Sequence, residues 1–294
     1  MPAQPLTRHD VTLIIVTYNS AHCIDPLAEC IADMPNICFA DNGSSDGSPE
    51  KIARKIPAAR LLKNPSNLGF GAANNRALRQ CATPYALLLN PDCLLEPVAV
   101  DKLLACAETY PNAAIIAPHL YRRNHALELS YRWPATHWIS GGPAAEAPCC
   151  VGFVSGAVML LNMAVMREIG FFDENFFLYY EDEDLCQRVF NAGREIIVVP
   201  EVTITHLSRG SIKGSNPLRS EFIRGYHHAQ SKLIFEGKHV GNAEAVHLRW
   251  KTLALALLTL LPRLLLPQPK YLARLVGRIA GLWNYAPRGS RPIR

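Results

Sequence analysis

The sequence predicts an α/β protein organised on a doubly wound, mostly parallel sheet. Short β-branched and leucine-rich runs alternate with helical segments, and four of those runs end in polar or glycine-rich sequence: TYNS, DNGSSDG, NPSNLGFG and NPD. In open sheets of this kind ligands bind beyond the carboxyl ends of the strands, so such endings in one register point to a nucleotide-sized pocket. A further observation is FFLYYEDEDLCQR at residues 176–188, where four consecutive carboxylates follow an aromatic run.

Residues 11–17, VTLIIVT, form a β-branched apolar run bounded by Tyr18-Asn19-Ser20, which reads as a buried parallel strand followed by a helical segment. Ile37 to Ala40 is a second short strand, running into DNGSSDGS and then a helix from Pro49 to Lys55 whose early proline suits a first helical turn. Leu61-Leu62 makes a third strand, GFGAANNRALRQC a loop turning into a helix, and Tyr85 to Leu89 a fourth strand ending at Asn90-Pro91-Asp92. Residues 151–161, VGFVSGAVMLL, read as one strand, and residues 181–192 as an acidic helix stopped by Gly193. Glu195 to Pro200 reads as a strand leading to His206.

With 294 residues the chain suits one large α/β domain with an appendage or two modest domains, and its net charge of +5 is unevenly spread. No Asp or Glu follows Glu244, whereas Arg249, Lys251, Arg263, Lys270, Arg274, Arg278, Arg288, Arg291 and Arg294 are all basic. The boundary is accordingly expected near residue 240, with a catalytic domain over 1–240 and a basic helical tail over 241–294. Nine scattered cysteines with no C-x-x-C pair suggest neither a zinc site nor a disulfide framework. The segment MPAQPLTRHD lacks the apolar stretch of a secretory signal, which leads to the expectation of a reducing cytoplasm.

The chemistry begins with the strand endings. Asp41 and Asp46 sit among glycines and serines, either as Asx and Ser turn chemistry or as a site where a carboxylate accepts a hydrogen bond from a base imino group. No G-x-G-x-x-G follows the first strand and no Walker lysine motif is present, which disfavours dinucleotide binding and P-loop chemistry. Asp92, at a strand's carboxyl edge, is placed either to cap a turn or to hold a hard divalent cation. His206 is a structural histidine unless it lies near Asp92, where imidazole would complete a magnesium or manganese shell. The EDED run at 181–184 is either a helix start favoured by the macrodipole or a site holding a general base. At about 100° per residue only one or two of the four can face one reacting atom.

IIVTYNS, DNGSSDGS, NLGFGAANNRAL, LLLNPD, VSGAVMLLNMAVMREIGFFDENFFLYYEDEDLCQRVFNAG and VPEVTITH, in this order, resemble a family 2 glycosyltransferase with a GT-A fold, nearest to rhamnosyltransferase-like enzymes of cell-surface polysaccharide assembly. The resemblance spans residues 11 to 235. It implies that Thr17, Tyr18 and Asn19 line the base and ribose pocket, that Asp41 reads a pyrimidine imino group, and that Asn67, Gly69 and Asn74 border the donor. It places Asp92 at the end of the family's metal-binding Asp-x-Asp motif, whose first aspartate is Asn90 here, and makes His206 a further metal ligand. Within EDED it matches the family's base to Asp182.

The resulting expectation is an inverting, Mg2+- or Mn2+-dependent transferase moving a sugar, with dTDP-rhamnose first among donors, to a hydroxyl of a lipid-linked saccharide. A UDP- or GDP-hexose donor, a nucleotidyltransferase and a degenerate GT-A scaffold at the membrane are the alternatives. The nucleotidyltransferase is disfavoured because TYNSAHC lacks a basic glycine-rich loop.

In the tail, TLALALLTLLPRLLL at 252–266 is too short and too interrupted by Pro262 and Arg263 to span a bilayer. Leu272, Leu275, Val276, Ile279, Leu282 and Trp283 fall on one helical face opposite Lys270, Arg274 and Arg278. The pattern is that of helices lying on an anionic membrane surface, with packing on the catalytic domain or on a second subunit as the alternative. The enzyme is thus expected in the cytoplasm, peripherally attached to the inner face of the cell membrane. Nucleic acid is not an expected partner, and the oligomeric state is left open.

Overall fold

The computed structural model describes residues 4–133, 143–207, 216–265 and 268–286. Arg288, Arg291 and Arg294 of the expected basic tail lie outside the described residues. The chain divides into two compact units, Met1–Phe172 with Asp182–Lys213, and Asp173–Glu181 with Gly214–Arg294. The sequence puts a boundary near residue 240, but the long helix before that point groups with the two helices after it.

The first unit is read in chain order. Strand β1 (Val11–Thr17) leads to α1 (Ile24–Cys30), β2 (Ile37–Asp41), α2 (Ser48–Lys55), β3 (Arg60–Lys63), α3 (Phe70–Leu78) and β4 (Tyr85–Leu89). Next come β5 (Cys93–Leu94), α4 (Pro97–Thr109), β6 (Ala113–Tyr121), β7 (Leu127–Glu128), β8 (Tyr131–Arg132), β9 (Cys149–Cys150), β10 (Phe153–Val154), β11 (Val158–Asn162) and α5 (Met163–Ile169). Helix α6 (Glu181–Asn191) and strand β12 (Glu195–His206) follow. The main sheet has the order β3-β2-β1-β4-β11-β6-β12-β5, with β7 on β6 and β9 on β12, while β10 and β8 pair separately.

Strands β3, β2, β1 and β4 are mutually parallel; β1, β2 and β4 are apolar runs buried on both faces, whereas β3 at the sheet edge has exposed Arg60 and Lys63 around half-buried Leu61 and Leu62. The chain winds outward from β1 to β2 and β3, then returns to place β4 on the other side of β1. That reversal is a topological switch point, and the crevice beyond its carboxyl edge is where open sheets take ligands. Beyond β4 the sheet becomes mixed, because β11 enters antiparallel between β4 and β6. One apolar layer joins Ile24, Leu27, Ile52, Val100 and Leu103 to Leu13 and Ile15; the opposite layer joins Leu78, Met166, Leu185 and Val189 to Ile14 and Leu88.

The run at 151–161, expected as one strand, is two. Ser155-Gly156-Ala157 breaks it between β10 and β11, and the Gly156 N–H donates to the Asp182 carboxylate at 3.1 Å instead of to a ladder. Strand β12 runs well past Pro200, because its pairing with β6 shifts register between Val199 and Thr203 and so leaves Pro200 outside the ladder.

The second unit contains α7 (Pro217–His239), α8 (Asn242–Leu265) and α9 (Pro269–Trp283). Pro262 does not stop α8, which continues to Leu265. The face of α9 that packs holds Gly277, Gly281 and Leu282; of the expected apolar stripe Leu282 is buried, Leu272, Leu275 and Ile279 are half-buried, and Val276 and Trp283 are exposed. Glycine brings the backbones together: a Cβ at Gly277 would fall on the Phe222 carbonyl oxygen of α7. Within this unit the segment ahead of α6 is fastened to α7. Lys238 Nζ lies 2.7 Å from Asp173 Oδ2, the Ser231 hydroxyl donates to the Leu178 carbonyl at 2.9 Å, and the Phe177 ring stacks on His227. Burial works against the Asp173 carboxylate, but bonds from Lys238 and Asn175 outweigh it and hold its pKa at about 2. A depressed carboxylate stabilises the fold above its unfolded pKa, and this contribution is lost as pH falls toward 2.

Candidate active site

Parallel pairing of β1 with β2 sets Thr17 beside Asp41 at the carboxyl edge. The Thr17 hydroxyl donates to Asp41 Oδ1 at 3.2 Å, and the Ser44 N–H donates to Oδ2 at 3.0 Å, so Asp41 organises its own turn. Asn19 has a positive φ of 51°; its N–H donates to Ser44 Oγ at 2.9 Å, and its side-chain oxygen accepts the Ser45 N–H at 2.9 Å. Tyr18 is half-buried between them, its N–H donating to Ser20 Oγ.

The 41–48 loop is locked to the 64–69 loop through Asn42, which is 3% exposed. Its amide nitrogen donates to Asn67 Oδ1 at 2.8 Å and to the Gly69 carbonyl at 3.1 Å, and its oxygen accepts from Asn64 and from the Leu68 N–H. Gly43 makes this approach feasible: at φ 77° its missing Cβ would meet the Ser66 backbone at 2.8 Å. Asn74 is buried and turns back to the Phe70 carbonyl within α3. Its neighbour Asn75 reaches out instead, exchanging two hydrogen bonds with the Phe172 backbone.

At β4 the chain delivers Asn90 and Asp92. Antiparallel pairing of β5 with β12 sets His206 opposite Cys93, and His206 Nε2 lies 3.6 Å from Asp92 Oδ1. The ring's other nitrogen, Nδ1, lies 3.2 Å from Glu128 Oε2 on β7. Burial disfavours the imidazolium, yet the Glu128 hydrogen bond and the charges of Asp92 and Glu128 outweigh it and raise the His206 pKa. Ligand atoms of Asp92, Cys93 and His206 fall within 4.8 Å of one another, but burial pushes the Cys93 thiol well up, which leaves a carboxylate and an imidazole as the effective donors.

The four carboxylates of α6 divide their tasks. Glu181 is buried. Glu183 accepts from Arg132 at 2.9 Å, and Asp184, fully buried, accepts from Arg188 Nε at 2.9 Å. Arg188 also donates to the carbonyls of Ile169, Gly170 and Phe171, clamping α6 to the loop after α5. Removing one partner of such a buried pair costs about 3–5 kcal/mol, so this is a fixed mount for the helix. Asp182 accepts the Gly156 N–H and, at 3.0 Å, the Glu183 N–H. Burial raises its pKa, against the lowering effect of those N–H donors and of Arg132.

Asp182 is joined to the metal-type pair through the backbone. Its Oδ2 takes the Gly156 N–H, the neighbouring Ala157 carbonyl accepts the Asn90 N–H at 2.8 Å, and Asp92 follows two residues on. Gly156 keeps this approach close: a Cβ there would press on the Phe70 ring at 3.2 Å and touch Asp182 Cβ at 3.5 Å. The sequence offers Arg132 only as surface charge or as a contact for acceptor or diphosphate, and singles out neither Asn42, Glu128 nor Gly156. The last had a signal, a glycine flanked by small residues inside an apolar run; the others are made relevant only by strands remote in sequence.

A switch-point crevice with loops from β1, β2 and β4 at one edge, in a sheet turned mixed by β11, is the arrangement of a nucleotide-binding α/β fold. A mannosyltransferase from Pyrobaculum calidifontis, solved in complex with GDP-Man and Mn2+, shares the fold at a TM-score of 0.57 and 18% identity, over 94% of this chain and 87% of that one. The sequence profile of Glycosyl transferase family 2 matches residues 12–169, and the chain belongs to that family. It is 28% identical over 248 residues to the N-acetylglucosaminyl-diphospho-decaprenol L-rhamnosyltransferase of Mycobacterium tuberculosis, covering 73% of this chain and 78% of the relative. It is 24% identical over 249 residues to a dTDP-rhamnosyl transferase of Shigella flexneri, covering 79% and 81%.

Proposed function

We propose that this glycosyltransferase moves rhamnose from dTDP-rhamnose to a hydroxyl of a saccharide carried on a prenyl diphosphate, with inversion at the anomeric carbon. The observation that carries the reading is the backbone path from Asp182 through Gly156, Ala157 and Asn90 to Asp92, which ties a raised-pKa carboxylate to the Asp92–His206 pair. Donor and acceptor classes are taken from the relatives, one named for dTDP-rhamnose chemistry and one for a diphospho-decaprenol substrate.

In this reading Asp182 removes the proton of the acceptor hydroxyl as its oxygen attacks the anomeric carbon, and the C–O bond to the nucleoside diphosphate breaks on the opposite face. Thr17, Tyr18, Asn19 and Asp41 hold base and ribose, while Asn67, Gly69, Asn74 and Asn90 border the diphosphate and sugar. Asp92 and His206 hold Mg2+ or Mn2+: a hard oxygen and an imidazole set close together, the latter oriented by Glu128, suit either ion. The bound cation supplies positive charge against the departing diphosphate.

A thermal-shift screen with Mn2+ across dTDP-, UDP- and GDP-sugars tests the donor. The expected result is the largest rise in Tm with dTDP-rhamnose, dependent on Mn2+; at a hundredfold excess over Kd binding adds about 2.7 kcal/mol. A larger shift with a UDP- or GDP-hexose would reassign the donor, and no shift with any nucleotide sugar would remove the reading.

The second unit supports attachment to a membrane surface. No described helix is long and apolar enough to cross a membrane, yet Leu255, Leu258, Leu261, Leu264 and Leu265 of α8 are all more than half exposed. An apolar helix face this open, in a region without acids after Glu244, fits an interfacial helix. The full chain is expected to float with anionic liposomes, and replacing Leu258 and Leu261 by Glu is expected to release it. Equal flotation of both would rule out α8 as the contact.

A further inference from the structure

Arg224, His228 and Lys232 recur every fourth residue on α7, and Arg274 and Arg278 do the same on α9, so each helix carries a basic stripe. The stripes meet because glycines remove the usual side-chain layer between helices. A Cβ at Gly225 would fall on the Arg274 carbonyl oxygen and lie 3.0 Å from the Arg278 nitrogen, and one at Gly281 would fall on the Tyr226 carbonyl oxygen. Glu221 bridges the two stripes, accepting from Arg224 of α7 at 3.1 Å and from Arg274 of α9 at 2.9 Å.

His228 lies inside this cluster, with the Tyr179 and Tyr180 rings 5.6 and 5.5 Å away. Burial, and then the charges of Arg278, Lys232 and Arg274, press its pKa down to about 4. Burial chiefly keeps this histidine neutral and the neighbouring cations add to it, so the cluster carries a positive potential that favours a further anion beside Glu221. Guanidinium forks pair two by two with phosphoryl oxygens, which suits two adjacent phosphoryl groups better than a single carboxylate.

We propose that Arg224, Lys232, Arg274 and Arg278, set around His228, form a diphosphate-binding site on α7 and α9 that holds the diphosphate of the prenyl-linked acceptor. The inference rests on the lipid-linked acceptor of the proposed function and assigns that acceptor's anionic group to the second unit. Leucines exposed along α8 of the same unit offer apolar surface for the prenyl chain.

The test uses the full chain in metal-free buffer with dTDP in large excess over its weaker metal-free Kd, so that the donor pocket is filled. Calorimetry compares farnesyl diphosphate with inorganic pyrophosphate, and NMR follows the His228 ring. Farnesyl diphosphate is expected to bind at least tenfold tighter than pyrophosphate and to raise the His228 pKa. Arg274→Gln with Arg278→Gln is expected to weaken binding at least tenfold at unchanged Tm, with Arg274→Lys recovering part of it. Native affinity in the double variant, or an unmoved His228, would overturn the site; equal binding of pyrophosphate would overturn its assignment to a lipid-linked ligand. Failure to transfer sugar from any donor would count against the proposed function instead, and it is read in a separate turnover assay.

Discussion

Asp182→Asn is expected to lower turnover by about 100- to 10,000-fold, the range for removing a positioned general base, while nucleotide affinity stays near native. Asparagine keeps an acceptor for the Gly156 N–H, so the helix mount made by Asp184, Arg188, Glu183 and Arg132 is untouched. The sign of the stability change follows from the pKa. A carboxyl whose folded pKa is raised stabilises the fold at low pH and loses that contribution as pH rises, so Asp182 costs stability above the ordinary aspartate range. The variant's Tm should therefore equal or exceed native, as is common where an active site trades stability for chemistry. The native kcat/KM should fall with decreasing pH at values above the ordinary aspartate range, and a variant with any residual activity should lose that limb. Equal turnover of Asp182→Asn and native protein would dismiss the assignment.

Asp92→Ala should remove the Mn2+-dependent part of donor affinity, because it takes the carboxylate from the Asp92–His206 pair. Calorimetric titration of dTDP with and without Mn2+ measures it: native binding is expected to tighten with the ion, and the variant to bind equally in both conditions. Glu128→Gln gives an intermediate result. It leaves both ligands in place but weakens the orientation of the His206 ring, for a loss of about 10- to 100-fold in metal affinity. Mn2+-dependent tightening in Asp92→Ala equal to native would refute the metal assignment.

Strands β1, β2 and β4 were legible because a parallel strand buried on both faces must be a continuous apolar run, and their polar endings marked the ligand edge. The antiparallel entry of β11 was not, since an apolar run carries no direction, and its break at Gly156 depends on a carboxylate 26 residues away. His206 shows the same limit from the other side. Its residue type suggested a ligand only on condition of lying near Asp92, and the pairing of β12 with β5 supplies that condition. Glu128 and Asn42 carried no local signal, and Arg132 read as surface charge or a contact for acceptor or diphosphate; each gains its place from a partner on another element. In the second unit the apolar stripe of α9 was legible and is partly covered at Leu272, Leu275, Ile279 and Leu282; the close approach of Gly277 and Gly281 to the α7 backbone, which the periodicity does not announce, sets how the helix packs.

The most direct measurement is the anomeric configuration of the product formed by the native chain with its donor, Mn2+ and a lipid-linked saccharide, read from the anomeric one-bond carbon–hydrogen coupling by NMR. A single displacement driven by Asp182 predicts a product whose anomeric centre is inverted relative to the nucleotide sugar, with transfer lost on chelation of the metal. Retained configuration, or undiminished transfer in the presence of a chelator, would contradict it.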